Sequence, residues 1–79
     1  MWNRRARGAQ YNFMVVAEAG LVAAAEQHLC SSMVQARERA LDLLRRVCGE
    51  SEIPVSDRCF ILDKSHRYIA AVTLAGSGS

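Results

Sequence analysis

The chain is poor in the residues that usually give away a small protein's chemistry. It has one proline, Pro54, and five glycines, and no glycine run that could cradle a phosphate, since Gly20 and Gly49 stand alone. Aromatic residues make up only 6%, with no RNP-type pair and no GXXG loop of the kind that RNA-binding sheets and KH modules use. The three cysteines, Cys30, Cys48 and Cys59, are an odd number without a CxxC pair. That argues against a disulfide framework and for a reducing, cytoplasmic setting. The apolar runs, such as Leu21–Ala25, fall far below the roughly 18 residues of a membrane span. Trp2-Asn3-Arg4-Arg5 is followed by small and polar residues, which reads against a secretory signal. An acid-free, Arg-bearing start has some likeness to a mitochondrial presequence, but it runs straight into a β-rich stretch.

What remains is enough for one small core. Of 79 residues, 51% are apolar, including 12 Ala, seven Val, seven Leu and three Ile. A chain this short fills a single core with difficulty, which excludes a two-domain enzyme with an interdomain cleft. It is also too apolar for a disordered tail. The net charge is +2, unevenly spread: residues 1–17 carry Arg4, Arg5 and Arg7 and no acid, and the remainder is slightly acidic. Nine of the ten cations are Arg, which suits planar pairing with carboxylate or phosphate, although codon bias in a GC-rich genome gives the same composition.

Patterning divides the chain into a basic arm over 1–9, one domain over 10–75 and a Gly-Ser tail over 76–79. Tyr11–Glu18 reads as a strand, with Tyr11, Phe13, Val15 and Ala17 on one face and Ala19-Gly20 as the turn after it. Leu21–Cys30 is ambiguous. Ala23–Gln27 favours helix by propensity, but the segment is short and has no stripe at helical spacing, so a strand returning across Gly20 is preferred. Met33–Cys48 is the clearest helix, capped by Ser31 or Ser32 and expected to stop at a left-handed Gly49. Its apolar half collects Met33, Val34, Ala36, Ala40, Leu41, Leu43, Leu44, Val47 and Cys48. Arg37 falls within that arc and must either snorkel past the helix edge or meet an anionic partner. After a loop over 50–57, Arg58–Leu62 and Tyr68–Leu74 read as strands joined by the short link Asp63–Arg67. The expected class is therefore α+β: a small antiparallel ββαββ sheet with one amphipathic helix on one face.

The candidate reactive groups read more simply as core and turn residues. Zinc sites pair their ligands at two to four residues, whereas the cysteines here are spaced by 18 and 11. Cys59, Asp63 and His66 have the residue types of a nucleophile, an orienting acid and a base, but a five-residue link offers no pocket to exclude water. No catalytic machinery, metal or cofactor is expected. The side chains best suited to contact a partner are Arg4, Arg5 and Arg7 of the arm, with Trp2 and Tyr11 as possible stacking rings, and Arg39, Arg45 and Arg46 of the helix.

The run Tyr11–Val16, the turn at Gly20, the helix Met33–Val47 and the hairpin Phe60–Leu74 together resemble small ββαββ proteins of phages and mobile elements, among them type I anti-CRISPR proteins. Arg58–Ser65 followed by an apolar strand is the most similar part. The order is also similar to HicB-like antitoxin domains, although the proline- and glycine-marked bend typical after their second strand is missing at Gln27–Ser32. The resemblance spans about residues 11–74 and is one of topology. It implies a non-catalytic protein that blocks a larger protein or ribonucleoprotein complex, as a monomer or homodimer away from any membrane. An antitoxin-like regulatory module and an RNA-binding protein acting through its arm are the alternatives.

Overall fold

The computed structural model describes residues 8–74. Within them lie β1 (Ala9–Ala17), β2 (Val22–Cys30), α1 (Met33–Glu50), β3 (Val55–Asp63) and β4 (Tyr68–Thr73). The strands form one antiparallel sheet in the order β2-β1-β3-β4, with the helix packed on one side. The expected α+β class holds, and Leu21–Cys30 resolves as a strand: Ala23–Ala25 yield their helical preference to pairing with β1.

Both hairpins are closed in the same way. In the first, the Ala17 amide donates to the Leu21 carbonyl (2.7 Å) and the Gly20 amide to the Ala17 carbonyl (2.9 Å). In the second, the Asp63 amide donates to the Arg67 carbonyl and the His66 amide to the Asp63 carbonyl, each at 2.9 Å. This is a three-residue loop with a left-handed residue in its last position. Gly20 (φ 99°) occupies that position in one turn and His66 (φ 67°) in the other.

The helix begins where serine and glutamine cap it reciprocally. Ser32 Oγ accepts from the Gln35 amide (3.2 Å), while Gln35 Oε1 accepts from the Ser31 amide (2.7 Å). Its end departs from expectation. Gly49 lies inside the helix, which runs to Glu50 and stops at Ser51 in extended conformation, with the Ser51 amide bonded to the Val47 carbonyl. Ser51 Oγ then holds both the amide and the carbonyl of Ile53, turning the chain towards β3 without a left-handed residue.

The buried face of the helix is narrower than its apolar arc. Ala36, Ala40, Leu43 and Leu44 are buried, with Met33 and Val47 beside them. Val34 is 66% exposed, and Cys48 and Arg37 are also exposed. A single helix on a sheet has neighbours on one side only, so the flank that carries Val34, Arg37 and Cys48 turns to solvent. Arg37 therefore needs no buried partner. From the sheet, Phe13, Val15, Cys30, Cys59 and Ile61 complete the core.

Candidate functional site: a charged helix layer and an apolar sheet face

The strand registers assign the side chains to two faces. On β1, Tyr11, Phe13, Val15 and Ala17 face the helix, opposite His28, Glu26 and Ala24 of β2 and Ile61 and Cys59 of β3. Gln10, Asn12, Met14 and Val16 lie on the far face, level with Leu29, Gln27, Ala25 and Val22 of β2. Leu62, Phe60 and Arg58 of β3, with Tyr68, Ala71 and Thr73 of β4, continue that face. No described element covers it.

This far face is mostly apolar, half-buried along its centre and exposed at its borders. Val22, Leu29 and Tyr68 are 57%, 67% and 65% exposed, and the Tyr68 ring meets the Phe60 ring edge-on at 6.3 Å between centroids. A shallow groove of about 330 Å³ runs across it between Met14, Val22, Ala25 and Leu62, with His66 on its rim. The polar groups near its middle are mutually satisfied. Gln27 Nε2 donates to Asn12 Oδ1 (3.1 Å), and Asn12 Nδ2 donates to the Asp63 carbonyl (2.9 Å), a chain of amides across β2, β1 and β3. The charged register position is Arg58 at one corner, where a shallow depression also brings in Asp57 beside Val16 and Phe60.

The opposite layer is charged. A shallow polar depression on the outer helix surface is lined by Gln35, Glu38, Arg39, Asp42 and Arg45. Of the helix arginines picked out by composition, Arg45 lies exposed on this surface. Arg39 reaches the Cys30 side chain, where its positive charge opposes the upward push that burial gives the thiol. Arg46 is committed elsewhere: its guanidinium forks onto both carboxylate oxygens of Glu26 at 3.2–3.3 Å. The structure thus gathers Arg39 and Arg45 on one surface and draws Arg46 to the sheet edge. Arg4, Arg5 and Arg7 lie outside the described residues, as does Trp2.

The Glu26 cluster was not anticipated from the sequence. Glu26 Oε1 also meets His28 Nε2 at 2.8 Å, and the His28 ring packs against Phe13 at 5.7 Å. The bonds from His28 and Arg46 hold the Glu26 carboxyl below its ordinary range. The signal was the spacing Glu26-x-His28, which on a strand puts both side chains on one face. It was hidden by the doubt over whether this segment was helix or strand.

The triad-like set is not brought together. Cys59 is buried in the core of β3, about 13 Å along the strand from Asp63 at ~3.3 Å per residue. Burial pushes its thiol up to about 11, which keeps it protonated and a poor nucleophile. Asp63 Oδ1 is occupied in accepting the amides of Arg67 (2.9 Å) and Ser65 (2.8 Å), bonds that hold its carboxyl below the ordinary range. His66 is exposed in the turn. Cys30, Cys48 and Cys59 are free thiols, and no group of three or more metal-ligating side chains converges among the described residues. None of their helices is long and apolar enough to cross a membrane.

Comparison with protein-family models, with curated proteins and with solved structures finds no match.

Proposed function

We propose that this chain is a non-catalytic binding protein that occupies and blocks a surface of a larger protein or ribonucleoprotein complex, in the manner of a small anti-CRISPR-like inhibitor. The observation that carries the reading is the outer helix surface, where Arg39 and Arg45 stand exposed on a capped helix. Guanidinium groups presented in this way match planar carboxylate or phosphate acceptors and are frequent among residues that dominate interface energetics. The ββαββ topology supports the same reading through its resemblance to small inhibitor proteins of phages and mobile elements. The thiol and carboxylate that most resemble catalytic groups are occupied in packing and in a turn.

Affinity capture followed by titration tests it. The double variant Arg39→Ala, Arg45→Ala is expected to keep the parent's circular dichroism and to bind the captured partner at least about tenfold more weakly, roughly 1.4 kcal/mol. Equal affinity in parent and variant would move the contact off the helix. A salt-dependent shift of a bare oligonucleotide, lost on removing residues 1–7, would favour the arm-driven RNA-binding reading instead.

A further inference from the structure

We propose that the uncovered sheet face is the interface of a homodimer, in which two copies stack face to face as an eight-stranded, four-layer α/β/β/α sandwich. Three observations lead to it.

The first is how little the chain buries by itself. Among the described residues the buried side chains are Phe13, Val15, Ala17, Cys30, Ala36, Ala40, Leu43, Leu44, Cys59 and Ile61, and half of these are Ala or Cys. Domains of this size commonly need a disulfide, a metal or a second copy to reach useful stability. All three cysteines are free, and both faces of the sheet carry apolar side chains, although the helix covers only one.

The second is area. Four strands ~4.8 Å apart and about 20–30 Å long present a face of roughly 400–550 Å² in projection. Two such faces, corrugated by Leu29, Val22, Phe60 and Tyr68, would bury on the order of 1,000 Å² together, the lower bound for a specific interface. Stacked sheets meet this way, about 10 Å apart with strands rotated by roughly 30°.

The third is self-complementarity. A two-fold axis brings a surface against itself, so a net charge on it would be repelled. Here Arg58 sits in one corner, with Asp57 next to it in the chain, and the remaining register positions are uncharged. Gln27 Nε2 already donates to Asn12 Oδ1 and Asn12 Nδ2 to the Asp63 carbonyl, so part of the desolvation cost of these amides is met within the face. The charged helix layer, by contrast, would face outward on opposite sides of the dimer, so each side would present one copy of Arg39 and Arg45.

Sedimentation equilibrium of the full chain across micromolar concentrations tests the proposal without any partner, and so independently of the function proposed above. The parent is expected at twice its 8.7 kDa chain mass. Leu29→Lys on β2 and Tyr68→Lys on β4, at opposite borders of the face, should each raise the dimer dissociation constant at least about tenfold. Arg45→Ala on the helix should leave it unchanged. A monomeric parent would overturn the proposal. So would a dimer insensitive to both lysines, or to one of them, since pairing through a single sheet edge predicts the latter. Should a lysine variant not fold, Leu29→Gln replaces it, and the parent's melting midpoint must rise with concentration. A midpoint independent of concentration would likewise overturn it.

Discussion

Gly20 and His66 occupy the same position in two turns of identical hydrogen bonding, one at each end of the chain. The left-handed conformation costs glycine nothing but costs an L residue about 1–2 kcal/mol, although histidine is among the residue types that tolerate it better. His66→Gly is therefore expected to stabilise the protein by about 0.5 kcal/mol once the greater freedom of glycine in the unfolded chain is subtracted. Gly20→Ala should destabilise it by about 1 kcal/mol, even though a Cβ at Gly20 would meet no neighbouring atom. Urea denaturation of the two variants checks both signs. A stabilised Gly20→Ala variant would refute the backbone account.

The second turn has a further support in Asp63. Its Oδ1 accepts two amides, and asparagine can reproduce that geometry without the charge. Asp63→Asn should retain most of the stability, and Asp63→Ala should lower the melting temperature. The pH dependence follows from the depressed carboxyl. Because the unfolded chain takes up the proton first, this contribution is present above the ordinary carboxylate range and is lost as pH falls through the lower folded-state value. An acid-melting series on parent and Asp63→Asn should show a shallower decline in the variant.

Glu26 obeys the same sign, for a different reason. It holds the edge strand to the helix through Arg46 and also pairs with His28, and a solvent-screened pair of this kind contributes only modestly. Glu26→Gln should modestly reduce stability at neutral pH and flatten the acid limb. High salt should produce part of the same loss in the parent. Thermal melts at low and high ionic strength distinguish this from a packing defect, which salt would not imitate.

Packing defects should come from the helix. Leu44 is fully buried beneath it, and Leu44→Ala is expected to cost about 2–5 kcal/mol, a large share of the stability of so small a domain. Val34→Ala, on the exposed flank, should cost less than about 0.5 kcal/mol. Comparable losses at the two positions would contradict the observed orientation of the helix.

The thiols offer an independent readout of burial. Cys48 is exposed, whereas Cys30 and Cys59 are buried with their thiols shifted upward. Iodoacetamide should label one thiol rapidly in the native protein and three in denaturant. Rapid native labelling at Cys59 would show that β3 opens.

The elements were legible because each carried its own period: two for β1, near 3.6 for the helix, and a short polar link that forced the second hairpin. Other features depended on contacts that local sequence does not encode. Ala23–Ala25 carry a helical propensity that runs against the preferred strand, and the open hydrogen-bonding edge of β1 decides for strand. Gly49 read as a stop, but Ser51 supplies the terminating contacts and the glycine is carried inside the helix. The apolar arc was drawn too wide because the pattern cannot say how many neighbours a helix will have, and Val34 and Cys48 show that this one has neighbours on one side. For the candidate site, the exposed arginines of the helix were readable from composition and phase. The uncovered sheet face was not, since it appears only once the strand order places β1 and β3 at the centre.

That strand order also fixes the sequence of events as the chain folds. Each hairpin closes over a few residues, and the helix forms between them, all within the microsecond range of local structure. The central seam is different: Tyr11 must find Asp63 and Phe13 must find Ile61, across nearly the whole described chain. Closing that span sacrifices chain entropy before any seam contact repays it, so pairing of β1 with β3 is expected to limit the folding rate. Mutations along the β1–β3 seam should accordingly slow folding, whereas those in the outer strands chiefly speed unfolding.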